Sequence, residues 1–272
     1  MEAIKEIKAI QRLEFNILKE IKIFCEANEI NYSLGAGTMI GAIRHQGFIP
    51  WDDDIDLFML REDYDRFIEK TIENGGKISD RYIVKYPFLK DYVYPFLKVI
   101  DDKTIAYESG AIEMGLGLYV DIFPVDYYDG DLTKIVNHYW MAKSKLLRFV
   151  LIDQKFAKRF LKKCYQYVSK YIWKKDVYYW KNKLLEKYEF QEKQYGGPVI
   201  WVSAGEKDLY PIDFFEGYTT VTFEGEQFQC FKRYDDMLKH RYGDYMELPP
   251  VEERVSHNIT AFLKDETESI QH

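Results

Sequence analysis

Apolar residues recur at helical spacing from the start of the chain. Ile4, Ile7, Leu13, Ile17, Ile21 and Phe24 form a stripe that predicts a helix over residues 2–28, interrupted by Asn28 and Glu29. Residues 31–34 then read as a short strand. Gly35-Ala36-Gly37 reads as a turn, with Thr38 as the N-cap of a helix through Arg44. Residues 46–50 read as a loop. Residues 54–60 alternate at period two, as a strand does, and residues 62–72 predict a helix with acidic residues at its N-terminus. Further strands are predicted at 82–84, 95–100 and 118–123, the last ended by Pro124, which cannot continue a ladder. Residues 132–188 are helical and basic in pattern. Short β-like runs at 199–202 and 218–223 sit among glycine turns, and 235–242 predicts a short helix before a polar tail. With no internal repeat and no low-complexity linker, this order predicts an α+β fold, a mixed sheet with flanking helices and a helical insertion. The expected organisation is a core over 1–130, a basic aromatic-rich helical insertion over 131–195, and a C-terminal part over 196–272 that completes the same domain.

Composition narrows the class. Of 272 residues, 47% are hydrophobic and 31% charged, enough apolar material for a large core and too much for a disordered chain. The net charge of −7 argues against a general nucleic-acid binder. Cys25, Cys164 and Cys230 lie far apart with no CxxC pair, which excludes a zinc ribbon and gives no disulfide framework. The first residues lack the apolar core of a signal peptide, and no run of 18 apolar residues exists, so a soluble, cytoplasmic protein is expected.

Charge is unevenly spread. Residues 131–190 hold 15 Lys/Arg against 5 Asp/Glu, a local net of +10, so the other 212 residues carry −17. Aromatic residues, among them Trp140, Phe149, Phe160, Tyr165, Tyr167, Tyr171, Trp173, Tyr178, Tyr179 and Trp180, are interleaved with those cations. The bland reading is a pair of amphipathic helices with lysines in solvent. The sharper one is a surface for an anionic partner, such as a bilayer headgroup layer, giving a peripheral contact with the inner membrane face. Nucleic acid is disfavoured, because the rest of the chain would repel it.

The densest chemical signal is Trp51-Asp52-Asp53-Asp54-Ile55-Asp56-Leu57. Four carboxylates within five residues repel one another unless cations hold them. On a strand, Asp52, Asp54 and Asp56 share one face, and Asp53, Ile55 and Leu57 the other. Carboxylates two residues apart on one face can clamp a divalent ion, and hard oxygen ligands favour Mg²⁺ or Mn²⁺ over zinc. An acidic loop in solvent is the alternative, but Ile49, Trp51, Ile55, Leu57 and Phe58 pull the segment toward the core, where unpaired charge is expensive. Asp121 is a lone charge in the apolar run 118–123. It is read as a third metal ligand from a neighbouring strand, with a lysine partner as the structural alternative. Asp126, after Pro124, is read as a turn residue.

The Gly35-Ala36-Gly37-Thr38 turn lies ahead of a helix, where glycines let a phosphate approach and the helix N-terminus supplies N–H donors. Arg44 and His45, ending that helix, are candidates for neutralising phosphate charge, with helix C-capping as the plain alternative. Lys98 is a similar candidate, or an ordinary exposed lysine. Arg254 and His257 in the tail are weaker candidates for reaching the same cleft. Other chemistries lack their motifs: Trp201 stands where a nucleophile elbow needs glycine, Gly75-Gly76-Lys77 is no Walker loop, and no H-E-x-x-H occurs.

The run Gly37-Thr38, Gly41-Ala42-Ile43-Arg44-His45, Gly47-Phe48-Ile49-Pro50-Trp51-Asp52-Asp53-Asp54-Ile55-Asp56 resembles the signature of the LicD family of phosphocholine transferases. The tail run Tyr242-Gly243-Asp244-Tyr245-Met246 with Leu248-Pro249-Pro250 resembles that family too. The resemblance implies a nucleotidyltransferase-like fold of polymerase-β type. Its glycine turn would be Gly37-Thr38, its D-x-D pair Asp54 and Asp56, and its third carboxylate Asp121. Thr38 stands where many relatives of that superfamily have Ser or Gly. The family is similar to fukutin-type transferases, so the implied donor is CDP-choline and the implied acceptor a sugar of a surface glycan, lipid-linked or not. Mg²⁺ (or Mn²⁺) would sit on Asp54, Asp56 and Asp121, Gly37, Thr38, Arg44, His45 and Lys98 would bind substrate, and Asp121 would take the acceptor's proton. A choline headgroup would call for aromatic rings, with Trp51 and Trp201 as candidates. The competing readings are transfer of another alditol phosphate from a CDP donor, a D-x-D nucleotide-sugar glycosyltransferase, and a non-catalytic binding protein of the same fold.

Overall fold

The computed structural model describes residues 3–87, 89, 92, 94–107, 116–128, 194–199, 201–254 and 256–264. The basic block at 131–190, with Cys164, lies outside the described residues.

The chain opens with a two-residue strand, β1 (Ala3–Ile4), and then helix α1 (Ile7–Ala27). The helix is shorter than the predicted one and turned about its axis. It buries Ile10, Gln11, Glu14, Ile17, Leu18, Ile21 and Cys25, whereas Leu13 and Phe24 are only partly buried. Ile4 belongs to β1. Strand β2 (Ser33–Leu34) leads into α2 (Ala36–Ile40), which widens into a π-helical turn at Gly41–His45. Then follow β3 (Asp56–Leu60), α3 (Arg61–Glu73), β4 (Tyr82–Lys85), β5 (Leu97–Asp101), β6 (Thr104–Tyr107) and β7 (Tyr119–Tyr128). Beyond the basic block come β8 (Tyr195–Gly197), β9 (Tyr210–Pro211), the hairpin β10 (Tyr218–Phe223) and β11 (Glu226–Phe231), α4 (Tyr234–Tyr242) and β12 (Thr260–Leu263).

The main sheet has the order β2-β3-β7-β5-β4, with β8 and β9 appended to β7. Only β3 and β7 run parallel; every other pair in it is antiparallel. The fold is therefore α+β with a mixed sheet, as expected. A second small sheet, β1-β12-β6, ties the end of the described chain to its start.

Pro124 does not end β7. Asp121 donates its N–H to the Ile55 carbonyl at 2.9 Å, toward β3. Backbone direction alternates along a strand, so the Pro124 nitrogen, three residues on, faces the other edge. There β5 pairs as far as Ile122 and β8 begins opposite Asp126, leaving Pro124 in the gap between them. The missing N–H costs no ladder bond. Asp126 consequently lies in the strand, not a turn. It accepts two hydrogen bonds from Arg61, Nε at 2.7 Å and Nη2 at 2.6 Å.

The sheet separates two apolar clusters. Leu57, Met59, Leu97, Val99, Val120 and Ile122 pack with the buried stripe of α1, while Phe58, Phe96, Phe123 and Val125 pack with Val199, Val202, Leu209 and Phe215. Cys25 and Cys230 are free and buried, and burial pushes both thiols up, Cys230 to about 12, which removes them from nucleophilic chemistry.

Candidate active site

Three charged residues line up across three neighbouring strands. Asp56, the first residue of β3, is in register with Asp121 of β7, and Asp121 is in register with Lys98 of β5. By the alternation of side chains, all three lie on the face that carries Phe58, Phe96 and Phe123. Lys98 is only 2% exposed, which removes the reading of it as a surface lysine. Its Nζ lies 2.5 Å from Asp121 Oδ1, and 3.3, 4.7 and 5.5 Å from the ring centres of Tyr119, Tyr94 and Phe96. A buried ammonium requires such partners. Asp121 thus has the lysine partner that the sequence offered as its alternative.

The acidic segment alternates as a strand would. Ile55 and Leu57 are fully buried. Asp53 turns to the C-terminal segment, accepting from Ser256 Oγ at 2.9 Å, His257 N–H at 2.8 Å and Ile259 N–H at 2.9 Å. Burial works against its charge, but these bonds and the His257 ring hold the carboxyl down at about 2. Asp52 lies against Asp54 and also near Asp53 and His257. Burial and then repulsion from Asp54 push Asp52 up to about 8. Burial, then Asp54, Asp121 and Asp52, push Asp56 well above the usual carboxylate range, opposed by the positive charge of Arg241.

Among the described residues, possible ligand atoms within 4.8 Å of one another belong to Asp52, Asp53 and His257, not to Asp54, Asp56 and Asp121. His257 Nδ1 stands 3.4 Å from Asp53 Oδ1 and 3.6 Å from Asp54 Oδ2, so the tail residue does reach the acidic segment. Asp53, with three donors already on its oxygens, is a structural anchor for the tail and a poor ligand. Asp52, Asp54, Asp56 and Asp121 are all oxygen donors along one stretch of the site, and the negative charge of Asp54 bears on both Asp52 and Asp56. That chemistry fits a hard divalent cation.

A positive corner adjoins this acidic row. Arg44 donates through Nη1 to the carbonyls of Tyr245 (2.6 Å) and Glu247 (3.1 Å) and through Nε to His45 Nε2 (3.0 Å). Arg254 lies over the Trp51 ring, 4.7 Å from its centre, and His45 meets that ring edge-on. Burial and then the nearby Arg254 charge lower the Arg44 guanidinium's proton affinity; burial and then Arg44 do the same for His45. Arg44 is more than a helix cap: it pins the stretch that resembled the family tail.

The glycine turn differs in detail from the expected one. The helix begins at Ala36, with Gly35 as its N-cap, and Thr38 lies inside it. The left-handed residue is Ala36, at φ 42°. Gly37 matters for space, since a Cβ there would stand 2.8 Å from Asp52 Oδ2. Thr38 Oγ1 accepts the Asp56 N–H at 2.9 Å, tying α2 to the first residue of β3.

Sequence reasoning missed three groups. Arg241 of α4 pairs with the buried Asp208 and bears on Asp56. Gln11 of α1 donates through Nε2 to the carbonyls of Asp52 (2.7 Å) and Ile49 (3.3 Å). Glu14 is fully buried with neither oxygen hydrogen-bonded, and burial followed by repulsion from Asp54, Asp53, Asp52 and Asp121 pushes its carboxyl well up.

Comparisons place the chain among known proteins. The family profile described as "LicD/FKTN/FKRP, nucleotidyltransferase domain" matches residues 29–162. Lipopolysaccharide cholinephosphotransferase LicD of Haemophilus influenzae is 34% identical over 252 residues, covering 90% of this chain and 92% of that protein. Two uncharacterized Rickettsia proteins, RT0683 of R. typhi and RP689 of R. prowazekii, are 40% and 41% identical over 60 and 49 residues, about a fifth of each chain. With a likeness that spans nearly the whole of both partners, the chain belongs to the LicD family.

Proposed function

We propose that this chain transfers phosphocholine from CDP-choline to a sugar hydroxyl of a cell-surface glycan, lipopolysaccharide first, with the help of Mg²⁺ or Mn²⁺. The observation that carries the chemistry is the row of Asp56, Asp121 and Lys98 across three strands, with Asp52 and Asp54 before it and the Arg44–Arg254 corner beside it. The choice of substrate rests on the likeness to the Haemophilus cholinephosphotransferase. The same row supports a polymerase-β-type arrangement, in which a D-x-D strand lies beside a strand with a third aspartate.

Asp54, Asp56 and Asp121 would hold the divalent ion, with Asp52 beside them. When bound, it offsets the charge of the donor pyrophosphate and of the departing CMP. Arg44, His45 and Arg254 take phosphate oxygens, and Gly37 leaves room for them next to Asp52. The acceptor oxygen bonds to the choline-bearing phosphorus while the bond from that phosphorus to the CMP oxygen breaks, and CMP leaves with the electron pair. The hydroxyl proton passes to Asp121. Lys98 on Oδ1 fixes that carboxylate in place, and a loose transition state asks little of the base because the attacking oxygen carries little charge.

The test is to incubate the full chain with Mg²⁺, lipopolysaccharide and, in turn, CDP-choline, CDP-glycerol, CDP-ribitol and a UDP-sugar. CMP release from CDP-choline, with choline appearing on the glycan, is expected. Release from the other CDP donors alone, UDP release, or no binding of any donor overturns the assignment in favour of an alditol-phosphate transferase, a glycosyltransferase or a binding protein respectively. The basic block at 131–190 supports an acceptor held on a lipid carrier at the inner membrane face. Equal recovery of the chain with neutral and anionic vesicles would remove that part. Among the described residues no helix is long and apolar enough to cross a membrane.

A further inference from the structure

An open cleft of about 400 Å³ lies between the C-terminal half of α1, residues 29–32 and the hairpin β10–β11. That is the size of a small-molecule site. Strand β2 is the edge of the main sheet and pairs Leu34 with Leu57 and Ser33 with Phe58. Residues 29–32 precede it, so the cleft stands at the end of β2 away from Asp56. Its wall is braced from within. Gln229 accepts the Tyr32 N–H on Oε1 at 3.1 Å and donates through Nε2 to Asn31 Oδ1 at 3.4 Å. Among the described residues, the carboxylates of Glu26 and Glu29 and the Thr220 hydroxyl have no hydrogen-bond or ion-pair partner. Lys22, one turn from Glu26, does not pair with it; its ammonium stands 5.3 Å from the centre of the Phe228 ring.

Glu29 is held in the cleft at a cost. The Ile30 N–H closes the helix end on the Cys25 carbonyl at 2.9 Å, and Glu29, inside that closing turn, has φ 55°. Glycine is the usual residue there, because a Cβ is strained at such an angle. A glutamate kept at a strained position beside a cleft points to a use for its carboxylate.

The lining selects the class of ligand. Two carboxylates against one ammonium repel nucleotides and other polyanions. Among the described residues, Glu26 and Glu29 belong to no group of ligand atoms close enough to share an ion. An apolar ligand would take the charged groups out of water with nothing to pair them. A neutral polyol suits them, because each of its hydroxyls both donates and accepts. Glu26 and Glu29 accept, Lys22 donates and Thr220 does either, over an apolar floor of Ile30 and Phe228.

We propose that this cleft binds a saccharide unit, and that it holds the acceptor glycan by a sugar other than the one modified. The class of ligand rests on the lining; its source, the acceptor, rests on the proposed transfer to a glycan. The spacing suits a short oligosaccharide. Asn31 precedes Gly35 by four residues, and the Gly35 N–H bonds to the Asp56 carbonyl at 2.9 Å, so the chain between cleft and charged row spans at most about 14 Å.

The experiment titrates the full chain, without donor, with the oligosaccharide of lipopolysaccharide freed of lipid and phosphate, and follows the heat of binding. Wild type is expected to bind. Two variants leave every residue of the charged row in place. Glu29→Gly relieves the backbone strain, so it should melt no lower than wild type. It should nonetheless bind on the order of tenfold more weakly, the loss of one hydrogen bond to a charged group. Glu26→Ala puts a good helix former on α1 and should weaken binding to a similar degree. Weaker binding by either folded variant supports the inference, and binding by both within twofold of wild type overturns it. A wild type that moves phosphocholine onto lipopolysaccharide but binds no free oligosaccharide overturns it too, and leaves the proposed function standing. A wild type that does neither overturns both.

Discussion

Lys98 and Asp121 face each other across β5 and β7 with Nζ 2.5 Å from Oδ1 and the lysine almost wholly buried. Each neutralises the other, so removing either strands a charge. Lys98→Met and Asp121→Asn should each cost about 3–5 kcal/mol, the usual result of breaking a buried pair. The double variant should cost much less than the sum, because no charge is then left alone. Urea melts of the four proteins check this. If Asp121 also serves transfer, the double variant regains stability but not CMP release; recovery of both would reduce the pair to a structural one.

Gly37 bears on chemistry more than on folding. A Cβ there would meet Asp52 Oδ2 at 2.8 Å, so Gly37→Ala must push that carboxylate aside. Glycine inside a helix costs roughly 0.5–1 kcal/mol relative to alanine, which offsets part of the strain. The expected outcome is a melting temperature close to wild type together with a loss of Mn²⁺ affinity and of turnover. A variant with normal Mn²⁺ binding would show that Asp52 has room to move.

Asp53 is expected to act through the tail. Asp53→Ala strands the Ser256 hydroxyl and the N–H groups of His257 and Ile259; only the Ile259 donor is buried, and leaving such a donor unmet costs about 1–3 kcal/mol. Because the folded Asp53 carboxyl is held at about 2, below its value in an unfolded chain, its contribution is full above about pH 4. It is lost as pH falls from there through about 2. Acid melts of wild type should therefore steepen in that window, and those of Asp53→Asn should not. Hydrogen exchange at residues 256–259 checks the cause, since the freed segment should exchange faster.

How far the sequence alone carries is best seen at particular residues. The acidic strand, its alternation and the helix after it follow from local pattern, because a period of two is imposed by the backbone itself. Lys98 lay in the right strand, yet its partner depended on register between β5 and β7, which no local pattern specifies. Pro124 misled for the same reason: whether a missing N–H matters depends on what lies across the gap. Glu14 did leave a trace. Positions 7, 10, 11, 14, 17, 18 and 21 follow helical spacing, and Gln11 and Glu14 interrupt that otherwise apolar stripe. Choosing the stripe through Leu13 and Phe24 hid them on what looked like the solvent side.

Ala36 offers a last test, in which stability and activity should part. Its φ of 42° is a conformation that side chains with a Cβ adopt at a cost of about 1–3 kcal/mol. Glycine relieves that strain but gives up about 0.4–1 kcal/mol through the greater freedom of the unfolded chain. It also loses the Ala36 methyl's packing against the aromatic cluster of the sheet. The balance favours Ala36→Gly by about 1 kcal/mol or less, read as a melting temperature raised by a few degrees. Three successive glycines would then lead into α2, so the Gly37–Thr38 backbone would be less firmly placed beside Asp52 and Asp56. CMP release should accordingly fall, through a higher KM for CDP-choline, while the melting temperature rises. A variant that melts lower would show that the methyl's packing outweighs the backbone strain.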